Sequence, residues 1–137
     1  MTRIVVDASI TLSWCFPDEQ TSLSLTVLER LRAGEQVLVP FFWSLEVLNS
    51  LLVGERRGRI SPEQTQAFLR DLVALKPNFD YASIDQVNGP VQKLCRDHGL
   101  TPYDALYVEL AARAKCPLAT QDATQKNVAV ALDIECL

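Results

Sequence analysis

At 137 residues, with 48% hydrophobic and 22% charged side chains, the chain has the make-up of an ordinary globular protein. It is read as one domain, residues 1–137, able to bury about two-thirds of its unfolded surface. The net charge of -4 excludes a broadly basic nucleic-acid binder, but not an enzyme that meets phosphate through bound cations.

The chain opens on RIVV (3–6), a short buried strand by its β-branched run, ending at Asp7. ASITLSWCF follows as a short helix or turn closed by Pro17. An amphipathic helix is expected over Thr21 to Ala33, with Leu23, Val27, Leu28 and Leu31 on one face and Gly34 as its stop. QVLV (36–39) reads as a second buried strand, and Pro40 leads into a strongly apolar helix, FFWSLEVLNSLLVGERRGRI. In SPEQTQAFLRDLVAL (61–75), Ser61 caps, Pro62 takes the first helical position and Gln64 completes a capping box. A third strand is expected near FDYASI. DQVNGPVQKLCRDHGL is expected to be helical after Pro90 and to stop at Gly99. TPYDALYVELAARA (101–114) is a helix capped by Thr101, with Asp104 in the capping-box position. PLAT, ATQKNVAVAL and IEC then read as strand, helix and last strand. Strands alternating with helices predict an α/β fold, three layers deep, with a central parallel sheet flanked by helices.

Cys15, Cys95, Cys116 and Cys136 lie far apart, with no Cys-x-x-Cys pair and a single histidine, so neither a zinc site nor a disulfide framework is indicated. Reduced thiols in a cytoplasmic protein are expected. The apolar run at the N-terminus is too short for a signal peptide and is interrupted by Asp7. No uncharged stretch reaches the roughly 18 residues that would suggest a membrane span.

Four acids resist a purely structural reading. Ligands collect outside the carboxyl ends of parallel strands, and Asp7 and Asp122 follow RIVV and PLAT closely. Each could equally be a helix N-cap. Asp104 could be a helix-start residue that complements the dipole. Glu46 is the only charged residue from Phe41 to Gly54, so it is either a buried carboxylate that needs a partner or part of a narrow exposed strip beside Asn49. If the four converge, their repulsion calls for protons or a cation, and hard divalent ions such as Mg2+ or Mn2+ suit oxygen donors. No Gly-rich phosphate loop is present.

IVVDASI, SLEVLNSLL, TPYDALYVELA and PLATQD, in this order, resemble the PIN domain, and especially the VapC-type toxins of toxin–antitoxin pairs. The resemblance covers essentially the whole chain. It implies a magnesium- or manganese-dependent ribonuclease whose acidic quartet falls on Asp7, Glu46, Asp104 and Asp122, with Asp7 and Asp104 as the most direct metal ligands. Ser9, Asn49 and Thr120 match polar positions beside that quartet. It further implies hydrolysis that leaves a 5′-phosphate and a 3′-hydroxyl, an RNA substrate and a small cognate antitoxin. One departure stands out: Gln125 occupies a position three after the last acid where the family often places an apolar residue, which bears on the conformation of the last loop.

A metal-free ribonuclease using two histidines is excluded by count, because only His98 exists, and it reads as a helix C-terminal residue. Arg56, Arg57 and Arg59 are candidates for RNA phosphate contacts, or else a solvated helix end. Phe41, Phe42, Trp43 and Tyr107 read as core or as the interface of a homodimer. Two rival readings are a PIN-like module that has lost catalysis and a receiver-like regulatory module. The latter needs a Lys after a late strand, and none follows the last one here.

Overall fold

The apolar segments RIVV and QVLVP become β1 (Arg3–Val6) and β2 (Gln36–Pro40), which pair in parallel with Ile4 opposite Val37. The structure, a computed structural model, describes residues 2–137. Two shorter strands, β3 (Asn78–Asp80) and β4 (Leu118–Ala119), complete a parallel sheet in the order β3-β2-β1-β4. The expected last strand at IEC is a single parallel bridge from Cys136 to Leu118.

Between β1 and β2 run α1 (Ala8–Ser13) and α2 (Ser22–Arg32). Between β2 and β3 run α3 (Trp43–Arg56) and α4 (Pro62–Ala74). The return from β3 to β4 carries α5 (Ile84–Gln86), α6 (Gln92–His98) and α7 (Pro102–Ala114), and α8 (Ala123–Ala131) follows β4. Right-handed parallel connections put successive helices on one face while the chain steps β1 to β2 to β3, and on the other when it steps back to β4. Accordingly α1 packs on α3 and α3 on α4, whereas α7 packs on β1 and β2 and contacts α6 and α8. The core is one cluster that includes Ile4, Val5, Val6, Val39, Leu51 and Leu110.

Local chemistry sets most helix ends. Thr21 with Ser24, Ser61 with Gln64 and Ser83 with Gln86 form reciprocal capping boxes. The last of these corrects the expectation at Pro90. Helical backbone begins at Ile84, and Pro90 sits inside a π-helical turn, Val87–Val91. The wider turn accommodates a residue without an N–H that an α-helical ladder would penalise. The third strand starts one residue before FDYASI and ends already at Asp80, because its register is set by pairing to β2, Val39 opposite Phe79, and not by its own weak alternation.

The sheet order disposes of the receiver-like reading. A flavodoxin-type sheet runs 2-1-3-4-5, whereas here β1 lies between β2 and β4. The strand order therefore reverses between β1 and β4. That is where an open parallel sheet leaves its crevice.

Candidate active site

All four predicted acids stand at a helix start, two as N-caps and two in the first turn. Asp7 follows β1 and caps α1; Asp122 follows β4 and caps α8. Asp104 falls in the first turn of α7 and Glu46 in that of α3. Glu46 was expected inside a long apolar helix, but α3 begins only at Trp43, so the carboxylate stands at its N-terminal end, half-buried. Helices that follow or precede parallel strands start at one edge of the sheet, so these four starts share the carboxyl edge. Helix N-termini favour negative charge there by about 0.3–1 kcal/mol each, which offsets part of the mutual repulsion.

Asp7 is the anchor. It is 3% exposed, and its Oδ1 accepts from the Ser9 hydroxyl (2.6 Å) and the Ile10 amide (3.1 Å). The Thr120 hydroxyl donates to Oδ2 and accepts in turn from the Asp122 amide (3.0 Å). Ser9 likewise accepts from the Gln121 amide at 3.0 Å. The loops after β1 and β4 are thus tied through one carboxylate. Asp122 Oδ1 accepts from the amides of Thr124 (2.8 Å) and Gln125 (3.1 Å). Asp104 does not close a capping box: Thr101 caps α7 at 3.2 Å, but the Asp104 carboxylate accepts from Gln125 Nε2 at 3.1 Å. Glu46 Oε1 accepts from the Tyr107 hydroxyl at 2.6 Å.

The acids sense one another. Burial pushes Asp7 above the usual carboxylate range, and Asp122 adds to the rise against the hydrogen bonds from Ser9, Thr120 and Ile10. Burial likewise raises Glu46, opposed by Tyr107 and reinforced by Asp104 and Asp7. Burial first, and then the charge of Glu46, pushes the Tyr107 phenol up, so it stays a donor.

Two helpers were not legible as such in the sequence. Tyr107, read as core or interface, lies one turn after Asp104 and holds Glu46. Gln125, read as a departure bearing on the last loop, touches two of the acids. A glutamine on the buried stripe Gln125, Val128 and Ala129 was the available signal.

The remaining candidates divide. Asn49 is exposed on α3, without the contact to the acids that Ser9 and Thr120 make. The Arg59 guanidinium pairs with Asp18 (2.8 Å) and Glu19 (3.0 Å) and lies 4.2 Å from the centre of the Phe16 ring. Arg56 and Arg57 are exposed at the end of α3, and His98 ends α6 before left-handed Gly99.

Do these residues suit a divalent cation? Among the described residues none of the four acids is in an ion pair, and the donors are all hard oxygens. Nor are any three His, Cys, Asp or Glu side chains among them already gathered tightly enough to grip one ion. The donor chemistry and the uncompensated charge fit such an ion. The carboxylates are held by protein donors, each with further lone pairs to offer.

This charge state has a measurable consequence without metal. Asp7 and Glu46 hold their protons more tightly in the folded protein than in the unfolded chain, so their contribution to stability is greatest at low pH. It declines as pH rises through the unfolded and then the raised folded values. Thermal melting from about pH 4 to 7 should show a shallower decline in Asp7→Asn than in the wild type. An equally steep decline would contradict the crowded-carboxylate picture.

The observations define a class: α/β proteins with acids at helix starts beside a parallel sheet whose strand order reverses. The PIN domain family model matches residues 4–131, and the chain belongs to that family. No curated protein matches it. Solved structures share its fold at low identity. PAE2754 from Pyrobaculum aerophilum is 20% identical with a TM-score of 0.70, over 96% of this chain and 92% of that one. VapBC2 from Rickettsia felis, solved with a DNA fragment from its promoter, is 18% identical with a TM-score of 0.61, over 93% of each chain. The sarcin-ricin loop cleaving toxin VapC20 of Mycobacterium tuberculosis is 15% identical with a TM-score of 0.63, over 90% of this chain and 93% of that one.

Proposed function

We propose that this PIN-domain protein is a divalent-metal-dependent endoribonuclease and the toxin of a toxin–antitoxin pair. The observation that supports the reading is that Asp7 feels Asp122 and Glu46 feels Asp104 and Asp7, while none of the four is in an ion pair among the described residues. Asp7, Asp104, Asp122 and Glu46 would hold Mg2+ or Mn2+. Such an ion, when bound, offsets phosphate charge and lowers the pKa of its water, favouring attack that leaves a 5′-phosphate and a 3′-hydroxyl.

The chain's own residues supply position. Ser9, Thr120 and the Ile10 amide fix Asp7 in one rotamer, so its oxygens do not have to be ordered when substrate arrives. Tyr107 restrains Glu46. Helix starts around the crevice favour an anionic backbone, and Arg56 and Arg57 offer exposed positive charge on a protein of net charge -4. Support for a toxin role comes from the family together with neighbours that are themselves VapBC and VapC proteins.

A homodimer in the cytoplasm is the working form we propose. Half-exposed Phe41 stacks on exposed Tyr81, and edge-on contacts link Phe41 to Phe42 and Phe42 to exposed Tyr103. No helix among the described residues is long and apolar enough to cross a membrane.

An inhibiting antitoxin must desolvate carboxylates that burial already disfavours, so its segment should place Arg or Lys among them. The direct enzymatic test is cleavage of single-stranded RNA by purified protein with Mg2+ or Mn2+, with Asp7→Asn as the inactive control. Expression alone should arrest growth, and co-expression of the product of the adjacent small gene should relieve it and co-purify. A protein that cuts RNA but never arrests growth would remove the toxin role and leave the nuclease.

A further inference from the structure

Gln125 is 2% exposed, yet only one end of its carboxamide is satisfied. Nε2 donates to Asp104 Oδ1 at 3.1 Å, while Oε1 is buried without a hydrogen-bond partner. Turning the amide over does not cure this, because a carboxylate only accepts and must face the NH2. The backbone N–H of the same residue donates to Asp122 Oδ1 at 3.1 Å. One residue therefore holds two of the four acids and presents an unpaired acceptor beside them. A buried acceptor left unpaired is destabilising, so a glutamine serving only as packing would be a poor choice on a stripe shared with Val128 and Ala129.

The structure assigns Gln125 as a positioning residue of the acidic site: its Nε2 orients Asp104, and its Oε1 accepts from a water of the hydrated divalent ion. The proposal rests on the metal-dependent reading above and concerns the shell around the ligands. Divalent ions of this kind, magnesium above all, keep several waters, each with protons to donate, and Oε1 is an acceptor in want of one. Partners outside the ligand shell typically govern metal affinity about 10–100-fold.

Mn2+ binding is measured on the purified full chain by calorimetry, with thermal melting recorded with and without the ion. Gln125→Met keeps the length and removes both polar atoms. Its Mn2+ dissociation constant should rise about tenfold or more, while its metal-free melting temperature stays at or above that of wild type. A residue that merely fills space would leave the dissociation constant alone, because Met fills the same space and only sheds the unpaired acceptor. Gln125→Glu keeps the size and adds a fifth carboxylate. It should melt lower than wild type without metal, and Mn2+ should raise its melting temperature by more than it raises that of the wild type. Gln125→Glu decides the matter should the Met variant not fold. Wild-type affinity in Gln125→Met, or a wild-type Mn2+ response in Gln125→Glu, would overturn the assignment. Failure of the wild type itself to bind Mn2+ would instead overturn the metal reading on which it rests.

Discussion

Asp104→Asn is expected to abolish RNA cleavage, by more than about the hundredfold that marks the upper end of losing a partner outside the ligand shell. The same change should leave the metal-free fold at least as stable as wild type. Thr101, not Asp104, caps α7, so the helix start survives. Asparagine can still accept from Gln125 Nε2 through its carbonyl, so that contact persists. What disappears is one negative charge facing Glu46, whose pKa rise is partly due to Asp104. Activity and stability should therefore move in opposite directions, or activity alone should fall. Kinetics on a defined single-stranded RNA and a thermal melt of the same preparation check both. Near-wild-type cleavage by Asp104→Asn would return this residue to a helix-start role and break the quartet.

The sequence carried the architecture where the signals were local. Thr21, Ser61 and Thr101 mark their helices by hydroxyls one residue ahead of the first turn, and the β-branched runs of β1 and β2 mark the central strands. Local signals lose their hold where pairing decides. β3 takes its place from β2, and IEC forms one bridge because only Leu118 offers it a partner. At Pro90 a general rule about proline masked a stronger cue, the Ser83 and Gln86 capping box seven residues upstream.

The same division runs through the site. Asp7 and Asp122 stand out because they end strands, which is a matter of adjacent residues. The ion pairing of Arg59 was not legible, since its partners Asp18 and Glu19 lie about 40 residues away in the chain and only folding brings them near. Tyr107 and Gln125 are buried polar side chains on helical stripes. Their type announces a need for partners, while the identity of those partners, Glu46 and Asp104, is a product of packing between helices.

Removal of the cation is expected to stop cleavage outright, because the carboxylates work by holding a divalent ion. Asp7 and Glu46 are poor at carrying charge in this crevice by themselves, because burial and their acidic neighbours both raise their pKa values. No histidine stands in for a metal as a proton-transfer pair, since His98 is single and ends a surface helix. The measurement is cleavage of end-labelled single-stranded RNA by the purified protein, with Mg2+ or Mn2+, with excess chelator, and after the ion is restored. Cutting should occur with the ion, stop with chelator and resume on restoration, giving fragments with a 5′-phosphate and a 3′-hydroxyl. Cleavage that continues in excess chelator and is absent from an identically purified Asp7→Asn preparation would show that these carboxylates act without a metal, and would contradict the account.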